Sequence, residues 1–337
     1  MFVILFLLSP GTYAQSNSGE YNILFYNVEN FFDTEDDPGT LDEEFTPAGD
    51  RHWTYKRFNR KILNLSKVIL NASGWSPPDI IALCEVENRH VLEKLLMNTP
   101  LSSFSYNIIH KNSPDERGID VALLYNRKIF YPLKYEYYPL LDRENSVIST
   151  REILYVKGIM DKADTIHIFV NHWPSRYRGL LESRPLRILA AKTLRCEIDR
   201  LFDKYADPKI LVMGDFNDQP CDESVSSFLK MSDFSGEPVT EGLYNLSHCW
   251  KEGGAGTLKY KGQWLVFDQI IISGALIKTK KGLFTESGFA SIVKLPFLSE
   301  SDYRYGGFKL SRTYTGYNYT GGFSDHFPVI LKLKIIP

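Results

Sequence analysis

The sequence is short of several things, and each scarcity narrows what the chain can be. Of 337 residues only four are cysteine: Cys84, Cys196, Cys221 and Cys249. None form a C-x-x-C pair, which argues against a zinc knuckle or a dithiol redox motif. Cys84 falls inside an apolar strand pattern and reads as a small buried hydrophobe. The other three leave one disulfide open after export, with no pairing assigned. Net positive charge is also missing, since 39 basic residues face 41 acidic ones and the formal charge is −2. No global field gathers polyanions, which argues against a dedicated sequence-specific nucleic-acid binder. An enzyme that touches a polyanion locally, through a few arginines and a metal, remains compatible. Finally, no apolar run approaches the roughly 20 residues that span a bilayer. Neither a repeat of fixed period nor a linker divides the chain.

What is present is the composition of a cored, soluble protein, with 43% apolar and 24% charged residues. Phe2–Leu8 is an unbroken apolar run, and Thr12-Tyr13-Ala14 fits a small-x-small cleavage site before Gln15. This predicts an export signal over residues 1–14 and a periplasmic or secreted protein, although no positive segment precedes the run. Residues 20–337 are then expected to form a single catalytic domain. A monomer without a transmembrane segment is expected.

Along that domain, strand patterns alternate with helical ones. Residues 21–27, 79–86, 104–110, 119–126, 130–141, 209–214, 267–273 and 327–335 read as strands, as does 243–250, and 152–160 with 165–171 as a hairpin. Phe58, Ile62, Leu65 and Ile69 place an amphipathic helix over 56–73. A second helix covers 88–98, and Leu186, Ala190, Leu194, Ile198 and Leu201 give a third over 186–202. A short helix follows Pro220. Many strands with two long amphipathic helices predict two packed sheets flanked by helices.

Several strand patterns end in a carboxylate, amide or imidazole where the apolar run stops. These ends are Asn27-Val28-Glu29-Asn30, Glu85, Asn171-His172, Asp215-Phe216-Asn217 and Ser324-Asp325-His326. One such end is an ordinary turn. Together they can converge at one rim of packed sheets. Oxygen ligands without clustered cysteines suit Mg2+, Mn2+ or Ca2+. Phosphoester hydrolysis needs those residue types: a cation against phosphate charge, a base for water, and donors to phosphoryl oxygens.

The ordered set Asn27, Glu85, His172, Gly214-Asp215-Phe216-Asn217, Asp268 and Ser324-Asp325-His326 resembles the endonuclease/exonuclease/phosphatase family. That family includes deoxyribonucleases, apurinic-site endonucleases, inositol-polyphosphate phosphatases and bacterial sphingomyelinases. Asn-His-Trp-Pro-Ser-Arg at 171–176 and Arg-Gly-Ile-Asp at 117–120 resemble its exported bacterial, deoxyribonuclease-like branch. The resemblance implies a four-layered α/β/β/α sandwich of two mixed sheets, and a hydrolase dependent on Mg2+, with Mn2+ or Ca2+ as substitutes. It implies Glu85 as principal metal ligand, with Asn27 beside it and Asp325 completing the site. Glu29 is either a further carboxylate ligand or a solvated turn residue. By the same resemblance Asp215 orients or deprotonates water, Asn217 holds the phosphate, and His326 contacts it while Asp268 keeps that imidazole oriented and protonated. His172 resembles a second catalytic imidazole, for which an Asp120–His172 pair is inferred.

Arg176 and Asn171 are expected to face substrate, within a basic group that also holds Arg178, Arg184 and Arg187. Arg51, Lys56, Arg57, Arg60 and Lys61 read as a solvated helix face. The acidic run over 33–44 reads as a solvated loop rather than a calcium site, since no EF-hand spacing is present. His52, His90, His110, His167 and His248 are taken as structural. The expected substrate is nucleic acid, DNA or RNA. The alternative is inositol phosphates, lipid head groups or other small phosphoesters, because the loops by which relatives grip a damaged duplex or a lipid head group have no match here.

Overall fold

A computed structural model describes residues 19–337 apart from Trp75 and Arg178. The export signal expected over 1–14 and the contribution expected from Arg178 lie outside the described residues. None of the described helices is long and apolar enough to cross a membrane.

Two mixed sheets form the centre. The first is built on β1 (Glu20–Phe31), β2 (Ile80–Val86), β3 (Tyr106–His110) and β4 (Asp120–Asn126). The C-terminal strand Val329–Ile336 pairs antiparallel with β1, β2 runs parallel to β1, and β4 then β3 complete that side. The second holds β5 (Phe130–Tyr138), β6 (Ile153–Met160), β7 (Asp164–His172) and β8 (Ile210–Asp215), then Asp268–Ser273 and Leu243–Asn245. Here too the central pair, β7 and β8, is parallel and the rest antiparallel.

Strand alternation sends one set of side chains between the sheets and the other outward. Ile23, Phe25, Ala82, Leu123, Val156, Ile168, Val170, Met213 and Leu331 fill the inner layer. Leu24, Tyr26, Ile81 and Leu83 point the other way, under α1 (Tyr55–Asn71) and α2 (Arg89–Met97), where they meet Phe58, Ile62, Leu65, Leu92 and Leu95. Phe169 and Val212 likewise lie under Ala190, Leu194 and Ile198 of α3 (Leu180–Lys204). The result is an α/β/β/α sandwich of four layers, as the patterning predicts.

Differences from the sequence reading have local causes. Helix α3 starts six residues before the expected Leu186, with Pro185 at its sixth position, where the missing N–H deprives the Leu181 carbonyl of its usual helical donor. The strand read over 243–250 stops at Asn245, whose side chain accepts from Ser247 N–H at 3.0 Å and turns the chain into the short helix His248–Glu252. Helix α1 carries one residue against its solvated reading. Lys61 is buried, and its ammonium donates to Thr313 Oγ1 (2.7 Å) and the Phe323 carbonyl (2.6 Å). Cys84 is buried, and Cys196, Cys221 and Cys249 are exposed and unpaired.

Candidate active site

The parallel pairs β1–β2 and β7–β8 end at the same rim, and strained backbone marks that edge. Glu29 (φ 50°), Asn30 (52°), Glu85 (60°) and Asn217 (50°) all adopt left-handed conformations without being glycine. Each costs on the order of 1 kcal/mol or more, and such residues cluster at functional sites. Asn27 follows Ile23 and Phe25 on the face toward the second sheet, and the β1–β2 register shifts just after it, between Asn27 and Phe31. The Ser324 hydroxyl donates to the Asn27 carbonyl (2.7 Å) and accepts from His326 N–H (3.1 Å), which pins the third motif against β1.

Around this rim the acidic and imidazole groups face one another. The Asn27 amide donates to Glu85 Oε1 (3.1 Å) and to Asp215 Oδ2 (3.0 Å). His172 Nε2 lies 3.9 Å from Asp215 Oδ2 and 4.0 Å from Glu85 Oε1. His326 Nε2 lies 3.8 Å from Asp215 Oδ2 and 4.0 Å from Asp325 Oδ1, while its Nδ1 is 2.7 Å from Asp268 Oδ2. Asp215 pairs with Asp268 across adjacent antiparallel strands, which puts both carboxylates at one level.

The two imidazoles are electrostatically opposite. Burial disfavours charge on His326, but Asp268 and Asp215 outweigh it and hold its pKa well above the ordinary histidine value. His172 is pushed well below that value by burial, and Arg151, Arg117 and the charged His326 act in the same direction. Burial raises Asp215 to about 7 against the opposing pull of His326. The site therefore holds one cationic donor, one neutral imidazole and a carboxyl that titrates near neutrality.

Several expected residues sit elsewhere. Asp120 does not reach His172. Its Oδ2 is 2.9 Å from His110 Nε2 and its Oδ1 accepts from Ser113 N–H, while His172 Nδ1 is buried without a partner. The Asp120–His172 pair is thus replaced by an Asp120–His110 pair. Asn171 is fully buried, donating to the Met213 carbonyl and accepting from Trp173 Nε1, so it orders the 171–174 turn and does not meet substrate. Arg176 is committed to the Asn217 carbonyl (2.6 Å), Asp218 (2.5 Å) and Asp222 (2.5 Å), over the Phe267 ring. Arg187 is fully buried against Asp218, and Arg184 pairs with Glu223. Glu29 is not a solvated turn residue. It is buried, accepting from Arg312 Nε (2.9 Å) and Thr313 N–H (2.7 Å). Asn27 presents nitrogen rather than oxygen to the carboxylates, because its Oδ1 accepts from Glu29 N–H (3.0 Å). The amide of Asn217 donates to the Trp173 carbonyl (3.0 Å), and its backbone N–H to Asp215 Oδ1 (2.9 Å).

Arg312 is a residue that pattern reading missed. It joins Glu29 Oε1 (2.8 Å) to Asp325 Oδ2 (2.9 Å). Burial works against its charge, but Asp325 and Glu29 prevail and hold it more firmly protonated than usual. Asp218 was missed too, although it immediately follows Asn217 and gathers Arg176, Arg187 and the Ser224 hydroxyl.

A divalent cation fits this donor set. Glu85 and Asp325 keep part of their side chains open to solvent, and their carboxylates are hard oxygen ligands, which suit Mg2+, Mn2+ or Ca2+. The trio Asp215, Asp268 and His326 also lies within ligand distance of one another. It suits a cation less well, because His326 is itself positive and its Nδ1 is already bonded to Asp268.

No curated protein sequence matches the chain. Among solved structures, a humanized D. rerio TDP2 carrying 14 mutations is similar at TM-score 0.57 and 15% identity, covering 94% of this chain and 99% of that one. An endonuclease/exonuclease/phosphatase family protein from Bacteroides thetaiotaomicron gives 0.56 and 14%, over 93% and 97%. The human Nocturnin catalytic domain with bound sulfate anion gives 0.52 and 15%, over 94% and 95%. These likenesses establish the fold. The Endonuclease/Exonuclease/phosphatase family model matches residues 22–335, nearly the whole described chain. The chain belongs to that family of divalent-metal-dependent phosphoester hydrolases.

Proposed function

We propose that the chain is an exported phosphodiesterase that cleaves nucleic acid outside the cytoplasm by in-line attack of water. The observation that carries this reading is the trio at the rim: a protonated His326 held by Asp268, with the Asp215 carboxylate facing its other nitrogen at 3.8 Å. A proton donor beside a base is what in-line hydrolysis of a phosphodiester requires.

Glu85 and Asp325 are the residues that would hold the cation, which supplies charge neutralisation at the phosphate when bound. Asn27 holds Glu85 and Asp215 in register from one amide nitrogen. Asp215, with a pKa near 7, accepts the proton of the attacking water. His326 donates from Nε2 to a phosphoryl oxygen, since its Nδ1–H is committed to Asp268. His172 stays neutral and turns Nε2 toward the same space. Asn217 keeps Asp215 aligned through its backbone N–H. Export is supported by the apolar start and the small-x-small site before Gln15.

The test is incubation of the purified protein with DNA and with RNA, under Mg2+, Mn2+, Ca2+ or chelator, beside inositol phosphates and sphingomyelin. Metal-dependent cleavage of a nucleic acid is expected. Cleavage confined to the small or lipid phosphoesters overturns the substrate assignment. Fractionation of producing cells, with recovery in the cytoplasm alone, overturns export.

A further inference from the structure

A second group of carboxylates lies away from the hydrolytic residues, where the loop after β1 folds over the end of β2. One carboxylate oxygen from each of Asp37, Asp42 and Glu87 lies within 4.8 Å of the others. Asp42 and Glu87 are buried, at 1% and 4% exposure, while the other acids of the 33–44 run are exposed or half-exposed, as a solvated loop requires. Acids this close and this enclosed repel one another, and either a proton on one of them or a cation between them relieves the repulsion.

The Glu87 side chain supplies an independent sign. Its Oε2 accepts from Asp33 N–H at 2.6 Å, while its Oε1 is buried with no hydrogen-bond partner. A buried carboxylate oxygen without a donor costs free energy, and a metal bond is one way to satisfy it. Around it the loop is already organised. Asp42 accepts from Asp37 N–H (3.1 Å) and from the Thr40 hydroxyl (3.0 Å), and Asn88 donates to Asp33 Oδ2 (3.1 Å).

We propose that Asp37, Asp42 and Glu87 bind a calcium ion that clamps the loop after β1 onto the end of β2. The choice of ion follows from size and ligand type. Calcium takes six to eight oxygens at about 2.3–2.6 Å in a flexible geometry, whereas Mg2+ demands a near-ideal octahedron at about 2.0–2.1 Å. Irregular loop backbone and the Thr40 hydroxyl offer the further oxygens that a flexible calcium shell accepts. Glu87 is two residues beyond Glu85, and its backbone N–H donates to the Phe31 carbonyl at 3.1 Å. The ion therefore ties together the ends of the two strands that carry Asn27 and Glu85, without touching the phosphate site.

The full chain, stripped with chelator, is titrated with calcium by calorimetry and followed by thermal unfolding, as wild type, Glu87→Gln, Asp37→Asn and Glu85→Ala. Glu87→Gln keeps side-chain size and removes a buried charge, so it folds. Asp37→Asn lies on the half-exposed rim and provides a second folded variant. Wild type and Glu85→Ala are expected to bind this calcium and gain thermal stability. In Glu87→Gln and Asp37→Asn the affinity falls roughly tenfold or more, as ligand charge is removed. Equal calcium affinity and stabilisation in wild type and both loop variants overturns the site. Loss of all calcium binding in Glu85→Ala also overturns it, because the ion would then belong to the catalytic rim. Magnesium binding tighter than calcium at the loop overturns the choice of ion.

Discussion

Asp268→Asn isolates the charge that keeps His326 protonated. Asp268 is fully buried, its Oδ2 is 2.7 Å from His326 Nδ1, and its Oδ1 has no partner. Asparagine keeps the volume, can still accept the Nδ1–H, and places its NH2 where an unpartnered oxygen now stands. The geometry survives and the charge does not. A hydrogen bond to a charged group contributes about 1.5–3 kcal/mol, and each pH unit corresponds to ~1.36 kcal/mol. Loss of the charge therefore lowers the His326 pKa by about 1–2 units. Since Asp268 and Asp215 raise that pKa, the change is downward, and imidazolium is lost at alkaline pH first. The assay is the pH profile of kcat/KM on a simple phosphodiester at saturating magnesium, with thermal unfolding to confirm the fold. The alkaline limb is expected to move to lower pH by about 1–2 units while the acid plateau changes less. A folded variant whose alkaline limb has not moved refutes the reasoning.

Asp215→Asn should lower kcat roughly 100-fold, the scale of a positioned base, and near-normal turnover in a folded variant removes Asp215 from that role. Arg176→Ala should destabilise the fold by about 1–3 kcal/mol through the buried Asp218 it leaves behind, with KM nearly unchanged; a large KM increase at unchanged stability restores it to the substrate. His167, buried beside Tyr155, has its pKa pushed down by burial and by Lys157 to about 4. The unfolded chain binds that proton first, so stability is full above about 6.5 and falls by up to ~3 kcal/mol as pH drops toward 4. Urea unfolding should show His167→Gln losing less stability than wild type over that range, and equal losses contradict the assignment.

The layers of the fold were readable because their causes are periodic. Phe58, Ile62, Leu65 and Ile69 step round a helix at its own period, and all four are buried under β1 and β2. Glu85, Asp215, Asp268 and His326 were readable for another reason, since each stands where an apolar strand run gives way to a polar group. What pattern could not show was partnership. Asp120 and His110 meet because β3 and β4 pair in one register, and nothing local in either strand states that register. Arg176 reads as a free cation beside His172, yet Asp218 and Asp222, more than forty positions along the chain, claim it. Arg312 lies in a stretch of short strands and turns with no period to mark it. The left-handed backbone at Glu29 and Glu85 was equally invisible, because glutamate carries no glycine-like signal.

The most direct test of the central claim is hydrolysis of a simple phosphodiester by chelator-treated protein, before and after magnesium or manganese is restored, in wild type and Glu85→Ala. The account predicts no turnover in chelator, recovery of wild type on adding back the metal, and no comparable recovery in Glu85→Ala. Undiminished turnover of the metal-free wild type, or full recovery of Glu85→Ala, would contradict it.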